Sequence, residues 1–172
     1  RRVLFRSERW QTAEPNSKPM RWPNGARCAV CFTFDFDAES LWIAKEPKNR
    51  ELLATLSQGR YGAKVGIVKI LELLKREELK ATFFTPGWTV DNHRDKVEML
   101  LKDGHELAHH GYMHYWPDPD KPEQIVEELD QGLDAMKRHF GVKPVGYRPP
   151  GSESCHYLLE QLTEREIGRA HV

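Results

Sequence analysis

Short runs of β-branched and aromatic residues alternate along this chain with longer stretches of helical period, and that alternation restricts the fold more than any other feature. Cys28–Phe36 predicts a buried strand, Ala81–Thr85 a second, His105–His110 a third and Val145–Arg148 a fourth. Between them, Val65–Glu77 places Val68, Leu71 and Leu74 three apart, and Arg94–Lys102 ends at Asp103-Gly104. Pro122–His139 sets Ile125, Leu129, Leu133 and Met136 on one face, with Pro122 in the first turn. From Leu41 to Gly62 the pattern weakens, and Ser57–Gly62 is expected to be loop. Strand–helix–strand repetition predicts an α/β fold with parallel strands and outer helices, whose chemistry sits at the C-terminal ends of the strands.

Composition narrows the function classes. The 172 residues carry 26 basic and 26 acidic side chains, so no net field favours nucleic acid or an anionic membrane. No apolar run approaches the roughly 20 residues that cross a bilayer. Three cysteines do not suggest a disulfide framework, and a cytoplasmic location is the mild expectation. Cys28 and Cys31 invite a redox or zinc reading, but i and i+3 on a strand face opposite sides, so they are read as structural.

The polar residues at the predicted strand ends are the candidates for chemistry. Asp35 and Asp37 are two apart and share a face at the end of the first strand. Two such carboxylates repel unless a cation or a shared proton offsets them. Taken alone, Asp-x-Asp also fits a helix cap beside a solvated acid, or a nucleotide-sugar transferase. His110 and His114 form His-Gly-Tyr-Met-His, a spacing that joins two imidazoles across a helical turn or a tight loop. Neutral imidazole is a favoured zinc ligand, although scattered core or surface histidines fit the pair equally well. His109 points the opposite way and His105 opens the strand at its far end, so neither is expected to be a ligand. Arg148, in Gly-Tyr-Arg-Pro-Pro, needs a carboxylate partner if it points inward. Trp88 and Trp116 follow strand ends, and with Tyr112 they are candidates to contact a substrate.

Together Phe34-Asp35-Phe36-Asp37-Ala38-Glu39, Ala81-Thr82-Phe83-Phe84, Gly104-His105-Glu106 with His110 to His114, and Gly146-Tyr147-Arg148-Pro149-Pro150 resemble the polysaccharide deacetylase family, the NodB or carbohydrate esterase 4 type. Asp-Ala-Glu and Gln58-Gly-Arg-Tyr-Gly62 are closest to its peptidoglycan-deacetylase-like and allantoinase-like branch. The resemblance implies an incomplete, distorted (β/α) barrel and one divalent metal, usually zinc, held by Asp37, His110 and His114. It implies Asp35 as general base, oriented by Arg148. The reaction implied is hydrolysis of C–N amide bonds, with N-acetylated sugars as the expected substrate. A small cyclic amide or imide is the alternative, and a silent carbohydrate-binding module a third reading. Two departures stand out. Gly151-Ser152 replaces the aromatic residue the family usually carries after Arg-x-Pro, and a late general-acid histidine is expected beyond the chain's end, a role His156 does not fit. As it stands, the chain is expected to be inactive.

The termini form a separate matter. Ile167–Val172 can be encoded by ATC GGA AGA GCA CAC GTC, and the reverse complement in another frame gives the run Arg2–Ser7 apart from the outermost bases. Residues 1–7 and 167–172 are therefore expected to be translated sequencing adapter, leaving 8–166 as the N-terminal part of the catalytic domain.

Overall fold

The computed structural model describes residues 23–170, so the expected adapter residues 1–7 and 171–172, and residues 8–22, lie outside the described residues. The chain divides into two compact units, residues 1–31 and 32–172. The described part of the first holds a 3-10 turn, Pro23–Gly25, and the exposed free thiols Cys28 and Cys31.

The second unit is built on a parallel sheet of order β1-β2-β3-β4-β5. Its strands are β1 (Phe32–Asp35), β2 (Ala81–Thr85), β3 (Glu106–His109), β4 (Gly146–Tyr147) and β5 (Arg169–Ala170). Between β1 and β2 run α1 (Ser40–Lys45), a 3-10 turn (Pro47–Glu51), α2 (Leu53–Tyr61), a π turn (Gly62–Gly66) and α3 (Ile67–Arg76). Helices α4 (Gly87–Asn92) and α5 (Arg94–Lys102) join β2 to β3. Helix α6 (Pro122–Phe140) joins β3 to β4, and α7 (His156–Glu164) follows β4. This is the α/β architecture of parallel strands and outer helices that the sequence implies, with β1 against β2 in the register Phe32↔Ala81 through Asp35↔Phe84.

Burial explains the layering. Phe83 of β2, Val90 of α4, Val97 and Leu100 of α5 and Ala135 and Met136 of α6 are fully enclosed and form one core. A second core gathers Ile125 and Leu129 of α6, Tyr147 of β4 and Leu158 and Leu162 of α7. The apolar stripe read on α6 thus faces both.

Three readings need correction. The first strand starts at Phe32, not Cys28, because ladder pairing begins opposite Ala81; Cys28 and Cys31 are exposed outside it. Nor is β1 buried: it lies at the sheet edge, and Phe32 is 39% exposed. Ser57–Gly62 is helical, not loop, because Leu56 is buried and Arg60 reaches back to the carboxylate of Glu39. Those tertiary contacts outweigh the helix cost of Gly59, about 1 kcal/mol. Residues 167–170, set apart from the fold in the sequence reading, take a place in it. Ile167 is buried, and Arg169–Ala170 pairs with β4 through main-chain bonds that any extended segment can make.

Candidate metal centre

All four strands read from the sequence end on one rim, and the polar candidates lie at or just beyond their C-terminal ends. Asp35 closes β1, and Asp37 follows two residues later in a turn through Ala38, whose φ is 51°. The Asp37 carbonyl accepts from the Ser40 hydroxyl (2.7 Å), the Ser40 N–H (3.1 Å) and the Thr89 hydroxyl (2.7 Å). Helices α1 and α4 therefore pin the backbone of this residue between them.

His110 follows β3, and a tight loop brings His114 back beside it. Gly111 and His114 both have φ of 73°, a conformation that costs a histidine about 1–3 kcal/mol and is common where a site imposes it. The two imidazoles lie 5.0 Å apart between ring centres and nearly perpendicular. His110 donates from Nδ1–H to the Arg148 carbonyl at 2.6 Å, which leaves its Nε2 lone pair facing Asp37.

Asp37, His110 and His114 each offer a ligand atom within 4.8 Å of the others. His110 Nε2 lies 3.5 Å from Asp37 Oδ1, and His114 Nε2 lies 3.6 Å from Oδ2. These separations are too long for strong hydrogen bonds, but a tetrahedral ion with bonds of about 2.1 Å has ligand–ligand edges of roughly 3.4 Å. Asp37 Oδ1 is buried with no hydrogen-bond partner, which is a costly state for a carboxylate that has no cation.

The electrostatics agree with the geometry. Burial, with the neighbouring charge of Asp35, pushes the Asp37 carboxyl up to about 7, against the opposing pull of Arg148. Burial holds the His110 imidazole down to about 4, and it lowers His114 as well. Both rings are thus neutral near pH 7, the form that donates a lone pair to a cation. The donor set fits one divalent metal.

Asp35 and Arg148 form an ion pair beside this cluster. The guanidinium also donates from Nη2 to Thr33 Oγ1 at 2.7 Å and stacks 4.1 Å above the Phe84 ring. The inward arginine has found the carboxylate that it requires.

A groove of about 580 Å³ runs past the cluster, lined by Asp35, His110, His114, Lys45, Trp116 and Gly151 among others. Trp116 is 60% exposed there, and its indole lies against Gly151. A Cβ at Gly151, whose φ is 67°, would come within 2.6 Å of the indole Nε1, so only glycine lets the ring settle on this backbone. Trp88 and Tyr112, expected to contact substrate, do not line the groove. Trp88 lines a second cavity with Glu39, Arg60 and His93, and the Tyr112 hydroxyl donates to Asp91 at 3.2 Å.

His109 is fully buried: Nε2–H donates to the Leu129 carbonyl (2.9 Å) and Nδ1 accepts from the Gly111 N–H (2.9 Å), a structural role. His105 is buried at the opposite end of β3, and His156 is exposed at the start of α7. Sequence reasoning missed Glu39, which is buried and accepts from His93 Nε2 (2.6 Å) and Arg60 Nε (3.0 Å). A third acid so close to Asp35 and Asp37 was the available signal. Nothing in the sequence marked Thr89.

Residues 44–167 match the family model of polysaccharide deacetylases. A peptidoglycan deacetylase of Helicobacter pylori is 30% identical over 83% of this chain and 48% of its own length. The crystal structure of a Mycobacterium smegmatis protein assigned as a polysaccharide deacetylase superposes with a TM-score of 0.82 at 36% identity, over 87% of this chain and 52% of that one. A family 4 carbohydrate esterase of Streptomyces lividans, solved with acetate, shares the fold with a TM-score of 0.57 at 21% identity, over 82% of this chain and 60% of that one. The chain spans about half the length of the first two of these relatives. It belongs to the polysaccharide deacetylase family.

Proposed function

We propose that this chain supplies the metal-binding part of a hydrolase that deacetylates N-acetylated sugars. The observation that carries the reading is the convergence of Asp37, His110 and His114 beside a groove that Asp35 also lines. Asp37, His110 and His114 would hold one divalent ion, and zinc is the proposed metal because its donor preference matches one carboxylate and two imidazoles. Such an ion, once bound, would acidify a water and stabilise negative charge on an acyl oxygen.

The remaining roles fall to the chain's own side chains. Asp35 is held by Arg148 at the groove, and it accepts a proton from the attacking water. Arg148, fixed by Thr33 and stacked on Phe84, orients that carboxylate. Trp116 offers an exposed indole face to the apolar C–H face of a sugar ring. The open, aromatic-walled groove favours a saccharide chain over a small cyclic amide, which would need enclosure.

The test is acetate release from N-acetylglucosamine oligomers by the protein that carries this chain, before and after metal chelation. Metal-dependent release that disappears with Asp35→Asn is the expected result. Release that survives both chelation and Asp35→Asn would refute the assignment.

A further inference from the structure

The two histidines owe their meeting to a loop, and the loop closes on a buried acid that plays no part in the proposed chemistry. Glu128 sits on α6 and is only 9% exposed. Its Oε2 accepts the N–H of Tyr112 at 2.8 Å, and both carboxylate oxygens lie 3.0 Å from the N–H of Met113. Among the described residues no lysine or arginine pairs with it, so its charge is balanced by the main chain of one loop.

The contact is close on both sides. A Cβ at Gly111 would lie 2.7 Å from Glu128 Oε2, so the loop rests directly on the carboxylate. The neighbouring residue of α6 fastens the other end of the same loop, since His109 bridges the Leu129 carbonyl and the Gly111 N–H. Successive N–H groups wrapped around an anion form a rigid concave backbone, and here that backbone sets the spacing between His110 and His114.

We propose that Glu128 is a positioning residue: it shapes the 111–115 loop so that the two imidazoles are presented together, and the metal affinity of the site depends on it although it does not touch the metal. This rests on the reading of Asp37, His110 and His114 as a metal site. Removing the hydrogen-bonding partners that orient metal ligands typically costs 10–100-fold in affinity. A glutamine at 128 keeps the volume but turns an NH2 toward the loop's N–H donors, so it cannot receive them with both ends.

The experiment measures the zinc dissociation constant of the wild type and Glu128→Gln by competition with a chromogenic chelator, and the visible spectrum of each with cobalt(II) in place of zinc. Circular dichroism reports the fold of both. The expected result is a 10–100-fold weaker zinc affinity and an altered cobalt spectrum in a folded Glu128→Gln protein. A purely structural role would lower the melting temperature and leave both metal readouts of the folded protein as in the wild type; that result overturns the proposal. Failure of the wild type itself to bind zinc would instead overturn the metal-site reading. Should Glu128→Gln not fold, Gly111→Ala crowds the same loop off the same carboxylate and is measured with the same expectation and the same refutation.

Discussion

Replacing Asp37 by asparagine should stabilise the metal-free protein while abolishing metal binding. A carboxyl raised from 3.8 to about 7 retains its proton better in the fold than in the unfolded chain. The folded state then binds the extra proton, so the metal-free protein loses stability as pH rises from about 4 through 7. By pH 8 the ionised, buried carboxylate costs about 4 kcal/mol. An asparagine avoids that charge but leaves a polar amide in the same place, which offsets roughly 1–2 kcal/mol of the gain. The net expectation is about 2–3 kcal/mol, or roughly 5–10 °C in melting temperature for a chain of this size.

Thermal unfolding of both proteins at pH 4.5 and pH 8, with chelator and then with zinc, reads this out. The difference between them isolates Asp37, because His109 and His110, held down to about 4 by burial, contribute a slope of the opposite sign in both. Asp37→Asn should melt higher than the wild type at pH 8 with chelator, match it at pH 4.5, and gain nothing from zinc. A metal-free Asp37→Asn protein that melts below the wild type at pH 8 would refute the claim that this carboxylate sits in a cavity shaped for a cation.

Further expectations follow from the same geometry. Zinc affinity should fall about tenfold for each pH unit below 7 as Asp37 takes up its proton, and titration calorimetry between pH 5.5 and 8 measures that slope. Arg148→Lys keeps the charge but loses the paired grip on Asp35 and Thr33 and the stacking on Phe84; kcat should drop by roughly 10–100-fold with zinc affinity little changed. Trp116→Ala should raise KM for N-acetylglucosamine oligomers by about 5–30-fold, the loss of a stacking face, and leave zinc binding unaltered. Leu129→Ala, in a fully enclosed position on α6, should cost about 2–5 kcal/mol by chemical denaturation.

Periodicity alone placed β2, α5 and the start of α6, and it brought Asp35, His110 and Arg148 to one end of a parallel sheet. Those features follow from the chain's own spacing: apolar residues that must be buried select strand or helix, and parallel connections send every strand out at the same rim. What the spacing could not supply was the identity of neighbours. Whether Ser57–Gly62 coils or loops depends on Arg60 finding Glu39, a residue 21 positions away. Whether Trp88, Tyr112 or Trp116 faces the groove depends on the distant residues beside each ring: Glu39 and His93, Asp91, and Gly151 respectively. The unpaired Asp37 oxygen, the glycine on which Trp116 rests and the Glu128 carboxylate beneath the histidine loop exist only once distant segments are packed together. Burial and hydrogen-bond satisfaction are properties of the surroundings, and a linear pattern carries no record of them.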